Sequence, residues 1–230
     1  MNYIYHHLGL GDHIICNGLV RSLIDEDKKY FMFVKEHNLT SVKFMYRDLS
    51  NLDFIVGDDV YAQTFLKQNN IKRDNLIIAG FYRHPQSIEF DDSFYLQNNL
   101  DFSLRWNNFK VDRELDREIN LFKKYNIKEG EYIFLHDDTD RNYVINQNHI
   151  INKDLKIISP KKGLTDNIFD YCYLMENSFE SHFIDSSFKL IFDSLKLRNN
   201  NIFYHIKLNN NVIKDSFTKS QSILNFKLIQ

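Results

Sequence analysis

The chain has 230 residues, 43% hydrophobic and 15% aromatic, with 29 Lys+Arg against 31 Asp+Glu for a formal charge of −2. That length and apolar content suit one large or two small domains with a real core and exclude a globally disordered chain. The balanced charge excludes a protein whose main task is neutralising nucleic-acid phosphates or coating an anionic membrane, and no apolar run nears the roughly 18 residues of a spanning helix.

Strand and helix patterns alternate along the first half. Residues 3–7 read as a strand, followed by a turn through Gly9 and Gly11. A helix from about Asp12 carries Ile15, Leu19, Val20 and Leu23 at helical spacing, with Asp12 placed as its N-cap. Strands follow at 29–35, 52–56 and 75–79, with helices at 40–49 and 58–68 between them. From 81 to 110 the pattern loosens into aromatic and polar residues around Tyr82, Arg83, His84 and Pro85. A helix over 112–125 then opens a second alternating series. Its strands fall at 132–135, 155–158, 181–184 and 202–206, its helices near 168–175 and over 186–197, with 223–229 as a final strand. Such alternation predicts parallel sheets covered by helices. The expected fold is α/β, two small Rossmann-like halves facing a cleft, over residues 1–110 and 111–230. Cys16 and Cys172 are too few for a disulfide framework and lie in apolar segments, as small buried hydrophobes do. With no basic, apolar leader after Met1, the chain reads as cytoplasmic.

Three loops carry titratable groups. The first, His6 to His13, holds three His and one Asp in eight residues around a Gly-x-Gly turn. A strand, a glycine turn and a helix start bring free N–H groups and a positive dipole end together. The turn has neither the third glycine of a dinucleotide fingerprint nor the Gly-Lys-Ser/Thr of a P-loop, and a purely structural turn has the same spacing. Asp12, at a helix start, is expected to stay ionised and to serve as a base, or simply to cap the helix. The second loop runs from His182 through Asp185 to Ser186 and Ser187, where two hydroxyls open a helix: a phosphate site or an ordinary N-cap. The third follows the strand 132–135 with His136, Asp137, Asp138 and Arg141. There Arg141 suits a phosphate, while the acidic pair suits a divalent ion or a solvated turn. His37, His149 and His205 stand alone in sequence. No zinc-peptidase, zinc-ribbon or nucleophile-elbow motif occurs.

The segment Leu8-Gly9-Leu10-Gly11-Asp12-His13-Ile14 resembles the first strand–loop–helix of GT-B-fold glycosyltransferases, above all the heptosyltransferase type, whose entry loop reads Leu-Gly-Asp. In that resemblance Asp12 takes the place of the catalytic base. His13-Ile14-Ile15-Cys16-Asn17 departs from the customary continuation. The Ser186-Ser187-Phe188 start is similar to the donor-nucleotide site of GT-B transferases, including fucosyltransferase-like members. The resemblance implies a metal-independent transfer with a nucleotide sugar as co-substrate and no further cofactor. It implies Asp12, His13 or His7 as base, and donor contacts from His136, Asp137, Arg141, His182, Asp185, Ser186 and Ser187. Gly9, Gly11, Asn17 and Arg83 fall on the acceptor side. The expected activity is sugar transfer to an unspecified glycan or small-molecule hydroxyl. A noncatalytic GT-B-like nucleotide- or glycan-binding module and a nucleotide-sugar epimerase are the alternatives. Neither a nucleic-acid partner nor a transmembrane segment is expected.

Overall fold

The computed structural model describes residues 1–81, 90–139, 142–199, 201–206, 208–209, 212–213, 224 and 226–229. The chain divides into two compact units, Met1–Asp112 and Arg113–Gln230. Each is built on its own parallel sheet flanked by helices, an α/β arrangement of Rossmann-like type.

In the first unit β1 (Asn2–Tyr5), β2 (Tyr30–Val34), β3 (Leu52–Val56) and β4 (Leu76–Ile78) form a four-stranded sheet in the order β3-β2-β1-β4. Tyr3 lies opposite Phe31 on one side and Leu76 on the other. Successive side chains of a strand point to opposite faces, and here both faces are buried: Tyr3, Tyr5 and Phe33 on one, Ile4, Met32 and Val34 on the other. Double burial explains the unbroken apolar run of β2. Four helices connect or follow these strands: α1 (Leu10–Ile15), α2 (Asn17–Leu23), α3 (Leu39–Met45) and α4 (Asp59–Gln68). Asp58 caps α4 by accepting the Tyr61 N–H at 2.8 Å, and Ala62, Phe65 and Leu66 of that helix pack on Tyr3, Tyr5 and Phe33.

Two features of this unit differ from the sequence expectation. The helix expected from Asp12 begins earlier, at Leu10, and is divided at Cys16, through which the hydrogen-bond ladder nevertheless continues, Cys16 N–H to Asp12 O and Val20 N–H to Cys16 O, both 2.8 Å. The stretch from 81 to 110, where the sequence pattern loosens, contains α5 (Phe90–Leu96) and α6 (Leu104–Asn107). Polar bonds across long sequence separations, which periodicity does not reveal, hold them. The fully buried Arg105 donates to Asp91 at 2.5 Å, and the Tyr95 hydroxyl donates to Ile15 O at 2.7 Å while accepting the Leu19 N–H. Gly18 permits the close crossing of α2 and α6, since a Cβ there would overlap the Leu104 carbonyl.

The second unit contains β5 (Tyr132–His136), β6 (Lys156–Ile158), β7 (Glu180–Phe183) and β8 (Ile202–His205). It also holds a two-residue antiparallel pair, β9 (Leu208–Asn209) with β10 (Val212–Ile213), and β11 (Lys227–Ile229). Its five-stranded sheet runs β11-β8-β7-β5-β6, parallel throughout. Helices α7 (Leu115–Lys124), α8 (Cys172–Glu176) and α9 (Ser187–Ser194) complete the unit. Rings from these helices meet one face of the sheet: Phe122 on Tyr132 at 6.0 Å, Phe188 on Phe134 at 6.0 Å and Phe192 on Phe183 at 5.2 Å between centroids. On the opposite face Ile133, Leu135 and Ile184 pack against Ile145 and Ile150. Among the described residues between β5 and β6 there is a single 3-10 turn, Gln147–His149, and no α-helix. The helix expected near 168–175 is a 3-10 turn, Ile168–Tyr171, running into α8, and α7 starts only at Leu115. Cys16 and Cys172 are both buried and unpaired. No helix among the described residues is long and apolar enough to cross a membrane.

Candidate functional site

Ligands of open parallel sheets gather beyond the carboxyl ends of the strands at the point where strand order reverses. In the first unit that point lies between β1 and β4, in the second between β5 and β7. Each point is built from residues of its own unit.

At the first, β1 runs out through His6, His7 and Leu8 while β4 runs out through Ala79 and Gly80. The two loops are tied by a 2.7 Å bond from His7 Nε2 to the Gly80 carbonyl. A carbonyl only accepts, so Nε2 carries the proton that makes this bond. Gly80 has φ +87°, and a Cβ there would stand 2.5 Å from His7 Cδ2 and 2.8 Å from Phe94 Cε1. Glycine is what lets the imidazole lie against the backbone. Phe81 and Phe90 flank the same ring at 4.6 and 5.5 Å and are 36% and 48% exposed.

Asp12 is not the N-cap. Gly9 holds that position in extended backbone (φ −70°, ψ 147°), and Asp12 is the third residue of α1. From there its carboxyl turns back towards the backbone of Gly9. Gly9 leaves room for this, since a Cβ would stand 2.6 Å from Asp12 Oδ2. The carboxyl does not have the lowered pKa of an ordinary helix-start acid. Burial raises it from 3.8 to about 6, opposed by the neighbouring His7 and by the Gly9 bond. It remains ionised at neutral pH and is a stronger base than a free carboxylate. Gly11, the second residue of α1, is partly buried.

His13 and Asn17 are both fully buried. His13 is fully buried, its ring edge-to-face with His6 at 4.4 Å, and burial holds its pKa well below the usual value. It is a core imidazole. His6 is likewise buried, its pKa lowered by burial to about 4, and its Nδ1–H donates to the His7 carbonyl at 2.6 Å. It steadies the backbone of His7. Asn17 is buried and accepts the Lys110 N–H at 2.9 Å and Arg21 Nε–H at 3.2 Å while donating to Lys110 O, a pin between α2 and the end of the unit. Arg83 lies outside the described residues.

At the second reversal the two loops singled out in the sequence adjoin. His136 ends β5 opposite Phe183 of β7, and the Ile184 N–H reaches the His136 carbonyl at 3.3 Å. The His136 ring lies 4.3 Å from that of Phe188 in the first turn of α9. Ser186 is the N-cap residue of α9 but makes no side-chain cap bond, and its Oγ is buried without a hydrogen-bond partner. Ser187, the first helical residue, and Asp185 are partly buried beside it, and Asp137 follows β5. The result is a helix start whose Ser186 hydroxyl makes no hydrogen bond and whose first turn packs on the end of a neighbouring strand. Arg141 lies outside the described residues.

His182 is not part of this group. Its neighbour Phe183 packs against α9, so His182 points to the other face. There it stacks on Phe203 at 4.6 Å, and its Nδ1 lies 2.8 Å from His205 Nε2. Its Nε2 lies 3.4 Å from Glu180 Oε2, and burial lowers its pKa to about 4. His149 and His205, isolated in sequence, also belong here, their rings 5.8 Å apart. Among the described residues no group of three or more His, Cys, Asp or Glu is arranged to hold a metal ion.

Sequence reasoning missed Gly80, Phe81 and Phe90. The signal present was a glycine directly after the strand that turns the sheet order, followed by an aromatic residue. In comparisons with known proteins, no family model, no curated protein and no solved structure matches the chain.

Proposed function

We propose that the protein is a glycosyltransferase that moves a sugar from a nucleotide-sugar donor to an acceptor hydroxyl. The observation that carries this reading is the meeting, in the second unit, of the His136 end of β5 with the uncapped Ser186-Ser187 start of α9. A helix N-terminus with an unbonded buried hydroxyl is suited to an anion, and a diphosphate is the anion a nucleotide sugar presents there. In the first unit the Asp12 carboxylate lies by His7, whose ring is flanked by the exposed Phe81 and Phe90, which suits a hydroxyl-bearing ring rather than a phosphate.

In the proposed reaction Asp12 takes the acceptor hydroxyl's proton as its oxygen attacks the anomeric carbon. The bond from that carbon to the donor phosphate breaks as the new glycosidic bond forms. The α9 start, with Ser186 and Ser187, takes up the charge developing on the departing nucleoside diphosphate, the main electrostatic task of the step. His7, held by Gly80, orients the hydroxyl.

The test is a thermal-shift panel of GDP-, UDP-, ADP- and CMP-sugars, followed by product analysis by mass spectrometry. A donor that binds the native state raises the melting temperature. Ser186→Ala with Ser187→Ala removes that rise, while Asp12→Asn keeps it and abolishes product. A panel in which no nucleotide sugar binds or turns over refutes the reading.

A further inference from the structure

The second unit holds a cavity on the sheet face opposite α9, formed by the irregular segment between β5 and β6. It has a volume of about 200 Å³, an apolar floor of Ile133, Ile150 and Ile157, and a rim of Gln147, Asn148 and Lys153. The rim is built from within. The carboxylate of Glu180, fully buried in β7, accepts the Ile151 N–H at 3.2 Å and the Asn152 N–H at 3.3 Å. Asn146 accepts the Asn148 N–H at 3.0 Å, and Asn152 accepts the Asp154 N–H at 3.1 Å. Each polar rim residue thus lies in, or directly after, a backbone stretch fixed by a side chain. Lys153, exposed at the rim, makes no ion pair with the described residues.

From this geometry we infer a second binding site, separate from the transfer chemistry, for a small amphipathic carboxylate. An apolar cavity of about 150 Å³ accepts a benzene ring, so this one has room for a ring or short alkyl chain. The isoleucines take that apolar part. The Lys153 ammonium pairs with the carboxylate, and the two carboxamides supply further donors. An uncharged amide of the same shape fills the floor but forfeits the ion pair.

The experiment titrates the full chain, 13C-labelled at isoleucine methyls, with benzoate and separately with benzamide. Benzoate is expected to give saturable shifts at Ile133, Ile150 and Ile157, with benzamide at least about tenfold weaker, the discrimination of a single charge-assisted contact. Lys153→Met removes the discrimination without touching the core. Ile157→Trp, on the edge strand, fills the cavity and abolishes the shifts at Ile133 and Ile150. Equal affinity for the two probes, an unchanged benzoate titration in Lys153→Met, or shifts that do not saturate each overturn the proposal. Because none of these readouts uses a nucleotide sugar, failure here leaves the transferase proposal standing, and the reverse.

Discussion

Replacing Asp12 by Asn tests the base and its environment together, because stability and activity should move in opposite directions. Burial raises the carboxyl from 3.8 to about 6, so the folded protein holds this proton more tightly than the unfolded chain. Between about pH 4 and about pH 6 the folded state keeps a proton that the unfolded state has released, and stability falls as pH rises through that window. At about 1.4 kcal/mol per pH unit, the full penalty carried by wild type at neutral pH is about 3 kcal/mol. The substituted carboxamide carries no ionisation penalty and has nearly the same size and shape as the carboxyl it replaces. The stability of Asp12→Asn relative to wild type should therefore be flat below about pH 4, increase by up to about 3 kcal/mol towards pH 6, and be flat again above. Urea unfolding followed by Trp106 fluorescence reads this directly. Trp106 is the sole tryptophan, is 7% exposed and belongs to the first unit. His6 and His13 titrate in both proteins and cancel in the difference. In parallel, wild-type turnover should rise with pH up to about 6 and then level, and the variant should lack it. A variant-minus-wild-type difference that is independent of pH, or that decreases with pH, refutes the buried-carboxylate argument.

Three further outcomes follow from the same geometry. Gly80→Ala must place an L-residue at φ +87° and its Cβ against His7 and Phe94, whereas Gly130→Ala, at φ +71° with nothing within 4 Å, meets only the backbone term. Denaturation should show a loss of about 1–2 kcal/mol for Gly130→Ala and a further 1–3 or so for Gly80→Ala, and equal losses would remove the packing argument for Gly80. Asp91→Asn removes the carboxylate that pairs with the buried Arg105 at 2.5 Å, so Trp106-detected unfolding should show a loss of about 3–5 kcal/mol, and a loss below about 1 would mean the pair is not desolvated. Glu180→Gln weakens the bonds to Ile151 and Asn152 N–H, costing about 1–3 kcal/mol locally, seen as faster amide exchange at those two residues; unchanged protection would show that Glu180 does not anchor the segment.

The layer architecture is legible because strand and helix periods alternate through the first half and through most of the second, and 52–56 coincides with β3. The misses have physical causes. In a strand buried on both faces, as β7 with all four of Glu180, Ser181, His182 and Phe183 buried, no alternation of polar and apolar residues reveals which parity meets the helices. Sequence proximity sets His182 beside the serines for that reason, one residue from the correct face. The helices α5 and α6 depend on the Asp91–Arg105 pair and the Tyr95 hydroxyl, whose partners are distant in sequence. Position at a helix start suggests a lowered pKa for Asp12, because the dipole effect is local and visible, whereas burial depends on what packs above the turn and reverses the sign.

That the loops after 3–7 and 132–135 both stand out in the sequence has a structural reason beyond their glycines and acids. In the order β3-β2-β1-β4 and in the order β11-β8-β7-β5-β6, the first strand of each half has its successor on one side and a later strand on the other. The chain therefore builds outward in two directions from that strand, and the crevice where the connections part always lies at its carboxyl end. The residues following the first strand sit at the reversal in either topology, so a reader who knows only that a half is parallel α/β can already locate one wall of its site. The second wall is harder to find. It comes from β4 in one unit and β7 in the other, a choice settled by which strand adds to the free side. That is why Gly80 and Phe81 escape notice in the first unit, while the serines after β7, marked by their own helix start, do not.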